Sequence, residues 1–212
     1  GGCIRSHPIG CATVGVCLMS GPFGSSQWMY NPSTSFYPHS IDQSLRFEDG
    51  DNPYLSKTLS GSGGTIFTFS CWVKLGNLSI NRCLLQGYAD GSNFAQILLY
   101  SQNYIGMYSA TSGTARLYAY TQSLQRDESS WYHIVFAYDS SLGTSTDRFK
   151  LYINGVQETS FASTYYPAQN ANSRLNTSGQ TVRVGSRGDG NEAFEGCMSH
   201  FHFIDGTQYA AS

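Results

Sequence analysis

The feature that most constrains this chain is the alternation of apolar and polar residues in short runs. The clearest run is TIFTFSCWVKL at 65–75. Successive side chains of a β-strand point to opposite faces, so this pattern predicts a strand with one buried face. That face would be formed by Phe67, Phe69, Cys71 and Val73.

Similar runs recur along most of the chain and are separated by Gly, Asn or Ser. Asn154-Gly155 is the dipeptide that favours a two-residue type I′ hairpin turn. No helical period interrupts the series, so an all-β fold follows: an antiparallel two-sheet jelly-roll sandwich, with a closed barrel as the alternative. The remaining strand candidates are 44–47, 53–58, 82–88, 94–100, 104–110, 114–120, 131–139, 147–159, 181–186 and 194–205.

Charge and the length of the apolar runs argue against two classes of partner. Charged residues are only 12% of the chain and the net charge is −2, with no basic block. Electrostatic binding of nucleic acid is therefore not expected. No apolar run reaches the roughly 20 residues that a membrane-spanning helix needs, so membrane insertion is not expected either.

Residues 1–40 differ from the rest and predict an extended arm or linker ahead of one sandwich domain at 41–212. The arm holds four of the six prolines and three of the six cysteines, and it shows little strand-like alternation. Cys3, Cys11 and Cys17 are its candidates for disulfides. Its apolar anchors for packing on a neighbour would be Trp28, Tyr30, Phe36 and Tyr37.

Four segments together resemble the concanavalin A-like, laminin-G-like jelly-roll superfamily. They are FTFSCWVKL, WYHIVFAYD, FKLYINGVQ and FEGCMSHFHFIDG. Two further segments, IDQSLRFEDGDNPYLSKT at 41–58 and HFIDGTQYAAS at 202–212, are similar to virion proteins of tailed phages, many of them marine.

The second resemblance implies a non-enzymatic virion structural protein, either a capsid decoration protein or a tail-fibre subunit. The arm would then bind other virion proteins and copies of the same chain, and the outward sandwich would bind cell-surface glycans. A secreted carbohydrate-binding lectin domain is the alternative. A glycan hydrolase is a third hypothesis, because this fold also hosts such enzymes.

The carboxylates argue against hydrolysis. A glycosidase needs two carboxylates facing the scissile bond, and laminarinase-type enzymes carry them as E-x-D-x-x-E on one strand. The chain lacks that string. Its nearest acidic clusters, Glu48–Asp51 and Glu192–Glu195, read as turns or solvated strand edges. No catalytic residues are therefore predicted.

Calcium is the one candidate cofactor. Ca²⁺ takes six to eight oxygen ligands, which loop carboxylates and carbonyls supply. Asp49, Asp51, Asp189 and Asn191 could provide some of them if the fold brings their loops together. The alternative is that each of these side chains caps a tight turn.

Glycan binding is predicted from tyrosines interleaved with polar loops in YSQNYIGMYSATSGTARLYAYTQ at 100–122. The candidate ligand-binding residues are Tyr104, Tyr108, Tyr118, Asp90 and Asn93. The alternative is a subunit interface, because tyrosine is favoured both in strands and at protein contacts.

VGSRGDGNEAFEG at 184–196 contains an Arg-Gly-Asp tripeptide, which some adhesion ligands use. The interpretation favoured here is a glycine-rich hairpin between the strands at 181–186 and 194–205. Asp189 and Asn191 would then be exposed at a loop rim.

Overall fold

The computed structural model describes residues 43–60 and 64–210. The predicted arm, with its anchors Trp28, Tyr30, Phe36 and Tyr37, lies outside these residues and stays a prediction. The described part contains two 3₁₀ turns, Asp49–Asp51 and Ser145–Asp147. Its strands are β1 (Leu45–Phe47), β2 (Leu55–Thr58), β3 (Ile66–Leu75), β4 (Arg82–Asp90), β5 (Asn93–Leu99), β6 (Ile105–Thr111), β7 (Thr114–Thr121), β8 (Trp131–Asp139), β9 (Phe149–Ile153), β10 (Val156–Glu158), β11 (Phe161–Tyr165), β12 (Thr181–Val184) and β13 (Gly196–Asp205).

The strands form two antiparallel sheets, which confirms the predicted two-sheet sandwich. The six-stranded sheet has the order β1-β13-β3-β8-β9-β10, and the seven-stranded sheet has the order β11-β7-β6-β5-β4-β12-β2. In the described residues, no helix is long and apolar enough to cross a membrane.

The core lies between the sheets and follows the predicted alternation. Phe67, Phe69, Cys71 and Val73 of β3 are all fully buried, as predicted. The seven-stranded sheet contributes aliphatic side chains, among them Ile97, Met107 and Leu117. Burying a side chain of this size stabilises the fold by about 1.5–3 kcal/mol, so the core explains why the two sheets stay together.

The Asn154-Gly155 turn is confirmed. Both residues have positive φ, 52° and 80°, as a type I′ turn between β9 and β10 requires. β11 was not predicted, because its sequence FASTY is short and four of its five side chains are exposed. It nevertheless forms an edge of the seven-stranded sheet, paired with β7.

The hairpin predicted around Arg187-Gly188-Asp189-Gly190 is wrong. β12 pairs with β2 and β4, whereas β13 pairs with β1 and β3, so the two strands lie in different sheets. The segment after β12 therefore crosses from one sheet to the other. The alternation at 181–186 and 194–205 correctly indicated strands but carried no information about their partners.

Candidate functional site

Two sheet-to-sheet crossings meet at one rim of the sandwich. One crossing joins β1 to β2 through the Asp49–Asp51 turn, and the other joins β12 to β13 through residues 185–195. Asn52 connects them: its Nδ2 donates to the Gly190 carbonyl over 2.9 Å, and its Oδ1 accepts from Ser186 Oγ over 2.7 Å. We call residues 186–192 the rim loop.

The rim loop is closed on itself by its own charges. Arg187 Nη2 lies 3.0 Å from Asp189 Oδ2, and Arg187 Nη1 lies 3.2 Å from Glu192 Oε2. Burial would raise the pKa of Asp189, but hydrogen bonds from Asn191 and the Arg187 charge outweigh it, so this pKa is lowered. Arg187 and Asp189 are therefore bound to each other rather than extended towards a receptor, as adhesion would require.

A polar pocket of about 460 Å³ lies beside the rim loop. Asn81 organises it by two hydrogen bonds: its Nδ2 donates to Glu192 Oε1 over 3.0 Å, and its Oδ1 accepts from the Ser101 N–H over 2.9 Å. The pocket thus presents hydroxyl, amide and carboxylate groups together. Its lining residues are Asp49, Ser79, Ile80, Asn81, Ser101, Gly190, Asn191, Glu192 and Ala193.

A buried arginine supports the loop that carries Asn81. Arg82 is fully buried, and its Nη1 donates to the Asn77 carbonyl in the same loop. Burial lowers the pKa of Arg82 to about 10, while the charges of Glu128 and Glu195 act in the opposite direction. The guanidinium therefore stays charged at neutral pH and holds the 77–81 loop in place.

The outer face of the seven-stranded sheet carries a continuous set of tyrosines. Leu117 and Ala119 of β7 are buried in the core, so Tyr118 and Tyr120, which alternate with them, lie on the outer face. Neighbouring ring centroids lie 4.5–5.8 Å apart, and the tyrosines are half-buried or exposed. In the order of these contacts the rings are Tyr100, Tyr104, Tyr120, Tyr118 and Tyr165, which we call the tyrosine track.

Small and amide side chains form the floor next to the track. The Tyr120 ring lies over Gly106, where a Cβ atom would overlap it. Gln86 Nε2 donates to Gln96 Oε1 over 3.2 Å on neighbouring strands, and Gln86 Oε1 accepts from the Gly188 N–H of the rim loop. The rim loop therefore covers β4 and forms a wall along this side of the outer face.

Three of the track hydroxyls, those of Tyr100, Tyr104 and Tyr120, are protonated at neutral pH. Burial raises the pKa of Tyr100 above its usual range, and it also raises the pKa values of Tyr104 and Tyr120. A protonated phenol can donate as well as accept, so each ring offers an apolar surface with a polar end.

The structure separates the predicted ligand residues into two groups. Tyr104 and Tyr118 belong to the track, and Tyr108 lies opposite Tyr118 in the β6–β7 pairing. Asp90 and Asn93 instead lie at the β4–β5 turn, at the other end of β5 from Tyr100.

Asp90 and Asn93 hold that turn. Asp90 accepts from Ser92 N–H and Asn93 Nδ2, and these hydrogen bonds lower its pKa. Asn93 Oδ1 accepts from Ser112 N–H and Arg174. Their oxygens accept these structural hydrogen bonds, and ligand binding by Asp90 and Asn93 stays a prediction.

The predicted calcium ligands converge only in part. Asp49 and Asn191 line the same pocket, whereas Asp189 is paired with Arg187 and Asp51 is exposed in its turn. The acidic oxygens that lie within 4.8 Å of one another belong to Glu48, Asp49 and Glu195. A calcium ion bound by Asp49, Asp51, Asp189 and Asn191 stays a prediction.

Several residues of this site were not among the predicted ligand-binding residues, among them Tyr100, Tyr120, Tyr165 and Asn81. Tyr100 and Tyr120 are in the tyrosine-rich segment at 100–122. Tyr120 is two residues after Tyr118 and so shares its face of the strand, and Tyr100 lies across a turn from Tyr104. These positions could have identified both residues as candidates. Tyr165 reaches the site because β11 pairs with β7, and Asn81 reaches it because its loop contacts Glu192 of the rim loop. Nothing in their local sequence indicates either position.

This architecture, two packed antiparallel sheets with a loop rim and an aromatic outer face, defines a lectin-like jelly roll. A family model described as "Concanavalin A-like lectin/glucanases superfamily" matches residues 48–210. The chain belongs to this superfamily. No curated protein sequence matches the chain.

Solved structures share the fold at low sequence identity. Domains LG4-5 of the mouse laminin alpha1 chain superpose with a TM-score of 0.55 at 11% identity, over 77% of this chain and 41% of that chain. Domain 4 of an extracellular GH43 arabinanase from Geobacillus stearothermophilus, solved with arabinotriose, gives 0.52 at 17% identity, over 74% and 68%. A heptameric SAP-like pentraxin from Limulus polyphemus gives 0.50 at 16% identity, over 76% and 71%.

Proposed function

We propose that residues 41–212 form a non-enzymatic carbohydrate-binding domain whose site is the tyrosine track together with the polar pocket. The observation that carries this proposal is that half-buried, mutually packed tyrosines adjoin a pocket of hydroxyl, amide and carboxylate groups. Small-molecule sites typically combine aromatic lining with a few placed polar groups. A sugar ring needs the same combination, because it has apolar C–H faces and a rim of hydroxyls.

Preorganisation favours binding by these rings. Tyrosine has only two side-chain torsions, and the track rings are already held by their neighbours at 4.5–5.8 Å. Little side-chain entropy is then lost when a ligand binds. The arabinanase domain named above was solved with arabinotriose, and its relation to this chain makes a carbohydrate ligand the natural first class to test.

The carboxylates of the site favour binding over hydrolysis. A glycosidase acid needs a raised pKa so that it holds a proton at working pH. Asp189 of the rim loop, beside the pocket, has a lowered pKa instead. Glu192, one of the two acids that line the pocket, is paired with Arg187.

A glycan array, followed by calorimetry of the strongest ligands, tests this function. We expect binding of at least one glycan class, and Tyr118→Ala should weaken it about threefold to tenfold, as loss of one aromatic contact implies. Tyr209→Ala is the matched control, because Tyr209 is 53% exposed and its N–H bonds to Thr68 of the six-stranded sheet. An array without ligands, or equal loss in both variants, would refute the proposal.

Two further assays examine the alternatives. Incubation of the bound glycan with the protein should release no product; turnover that Glu192→Gln abolishes would establish a hydrolase. Repeating the binding assay with a chelator and then with added calcium tests the predicted calcium ion. Removal of calcium should weaken binding only if the ion holds the site.

A virion role is a separate proposal that rests on the resemblance of 41–58 and 202–212 to phage virion proteins. In that role the domain would be repeated on a capsid or tail surface, where many weak glycan contacts act together. None of the solved structures named above is a phage protein. Imaging of the native particle would test this role, and a chain isolated as a secreted protein without particles would favour the alternative location.

A further inference from the structure

We propose, on the basis of the carbohydrate-binding function above, that the site binds the end of an oligosaccharide. The terminal sugar would occupy the polar pocket, and the following sugars would lie along the tyrosine track towards β11. The chemical class is an unbranched oligosaccharide whose terminal sugar is neutral or positively charged.

The track has a direction and one open end. Its ring contacts run from Tyr165 to Tyr118 at 5.8 Å, then to Tyr120 at 5.8 Å, and on to Tyr104 at 5.5 Å. Tyr165 belongs to β11, which is an edge strand, and it is 50% exposed. No described strand continues the sheet beyond β11, so a bound chain can leave the protein over this edge.

The other end of the track leads to the pocket. Tyr104 stacks on Tyr100 at 4.5 Å, and Ser101, the next residue, lines the pocket and bonds to Asn81. Three further segments line the pocket: the Asp49–Asp51 turn, the 79–81 loop and the rim loop with the adjoining Ala193.

The rim loop also closes the neighbouring part of the sheet. A Cβ on Gly188 would lie 2.7 Å from the Tyr88 ring, so the loop backbone packs directly against β4. A chain that follows the track therefore meets loops rather than open sheet, and it ends in the pocket.

The charge of the pocket selects the terminal sugar. Glu192 is compensated by Arg187, whereas Asp49 makes no ion pair and no side-chain hydrogen bond with any described residue. A carboxylate accepts hydrogen bonds only, so Asp49 is suited to sugar hydroxyls or an ammonium group. A carboxylated or sulfated terminal sugar would place like charges close together, which weakens binding.

The first test measures affinity against chain length. The probes are linear arabino-, xylo-, cello-, manno- and malto-oligosaccharides of one to six units, titrated by calorimetry. Within the series that binds, affinity should rise with length. Tyr165→Ala should lower the affinity for the hexasaccharide about threefold to tenfold, as loss of one aromatic contact implies. It should leave the affinity for the monosaccharide unchanged. Tyr209→Ala should change neither.

A substitution in the pocket should change the affinity for ligands of every length, unlike Tyr165→Ala. Asp49→Asn should weaken all lengths by the same factor, about fivefold, which corresponds to one partly exposed charged contact. Asp51→Asn is the matched control, because Asp51 is in the same turn but does not line the pocket. If Asp49→Asn weakened the binding of long ligands only, the end of the oligosaccharide would lie outside the pocket.

The second test distinguishes binding at the ends of a polysaccharide from binding along its length. The parent polymer of the series that binds is titrated before and after partial hydrolysis to about ten units, and binding sites per gram are compared. End recognition requires the number of sites to rise in proportion to the number of ends. An unchanged number of sites, or affinity independent of length, would overturn this inference while leaving carbohydrate binding intact. Absence of binding by every probe and by the glycan array would instead refute the proposed function itself.

Discussion

The two faces of the seven-stranded sheet are made by the same strands but have different composition. On the inner face, β6 and β7 present Met107, Leu117 and Ala119, all buried in the core. On the outer face, the alternating positions present Tyr118 and Tyr120, whose rings lie 5.8 Å apart and are half-buried.

This difference shows how one strand can serve two purposes. The inner positions are filled by aliphatic groups that pack against the other sheet, so their contribution is to the free energy of folding. The outer positions hold large rings that remain accessible to a ligand, which stability alone does not require. Of two substitutions at adjacent residues, one should therefore lower mainly the stability and the other mainly the affinity for the ligand.

The largest expected effect comes from neighbouring substitutions on β7. Leu117→Ala removes a buried side chain and should lower the free energy of unfolding by about 2–5 kcal/mol. Tyr118→Ala removes a ring from the outer face and should cost less stability while weakening glycan binding. Chemical denaturation measures the first quantity and calorimetry the second. Equal destabilisation by both variants would mean that the tyrosines are part of the folding core.

The sequence predicted the buried core between the two sheets better than the outer site. Alternation identifies strands and their buried positions, as Phe67, Phe69, Cys71 and Val73 show. Alternation does not encode which strands are neighbours, so Tyr165 could not be placed beside Tyr118, nor Asp49 beside Asn191. The error at Arg187–Gly190 has the same origin, because a glycine-rich turn and a crossing between sheets have similar local sequences.

The second prediction concerns the backbone beneath the track. Gly106→Ala would place a methyl group against the Tyr120 ring and 2.9 Å from the Ala119 carbonyl oxygen. Either the ring or the strand must move, and overpacking of this kind costs about 1–3 kcal/mol. Binding of long oligosaccharides should fall together with stability. Gly143→Ala is the control, since a Cβ there meets no atom within 4 Å; an equal effect of both variants would contradict the close approach.

The third prediction addresses the rim loop, which forms the wall of the outer face. Arg187→Met removes both ion pairs and leaves Glu192 without its cation, so stability should fall by about 1 kcal/mol. Hydrogen exchange of rim-loop amides should increase at the same time. Arg46→Met removes a more exposed pair with Glu48 and should change stability by less than about 0.5 kcal/mol. Unchanged exchange in Arg187→Met would show that backbone contacts alone hold the loop.

The smallest expected effect is the pH dependence of the same loop. The pKa of Asp189 is lowered in the folded state, so its carboxylate stabilises the protein above the unfolded-state pKa. This contribution is lost as the pH falls through the folded-state pKa, that is, below about pH 4. Asp189 is 35% exposed, so solvent screening keeps the effect below about 0.5 kcal/mol. Comparing unfolding of the wild type with Asp189→Asn from pH 7 to pH 2 measures it: the stability difference should be constant at neutral pH and shrink in acid, and a difference that grows in acid would contradict the Arg187–Asp189 pairing.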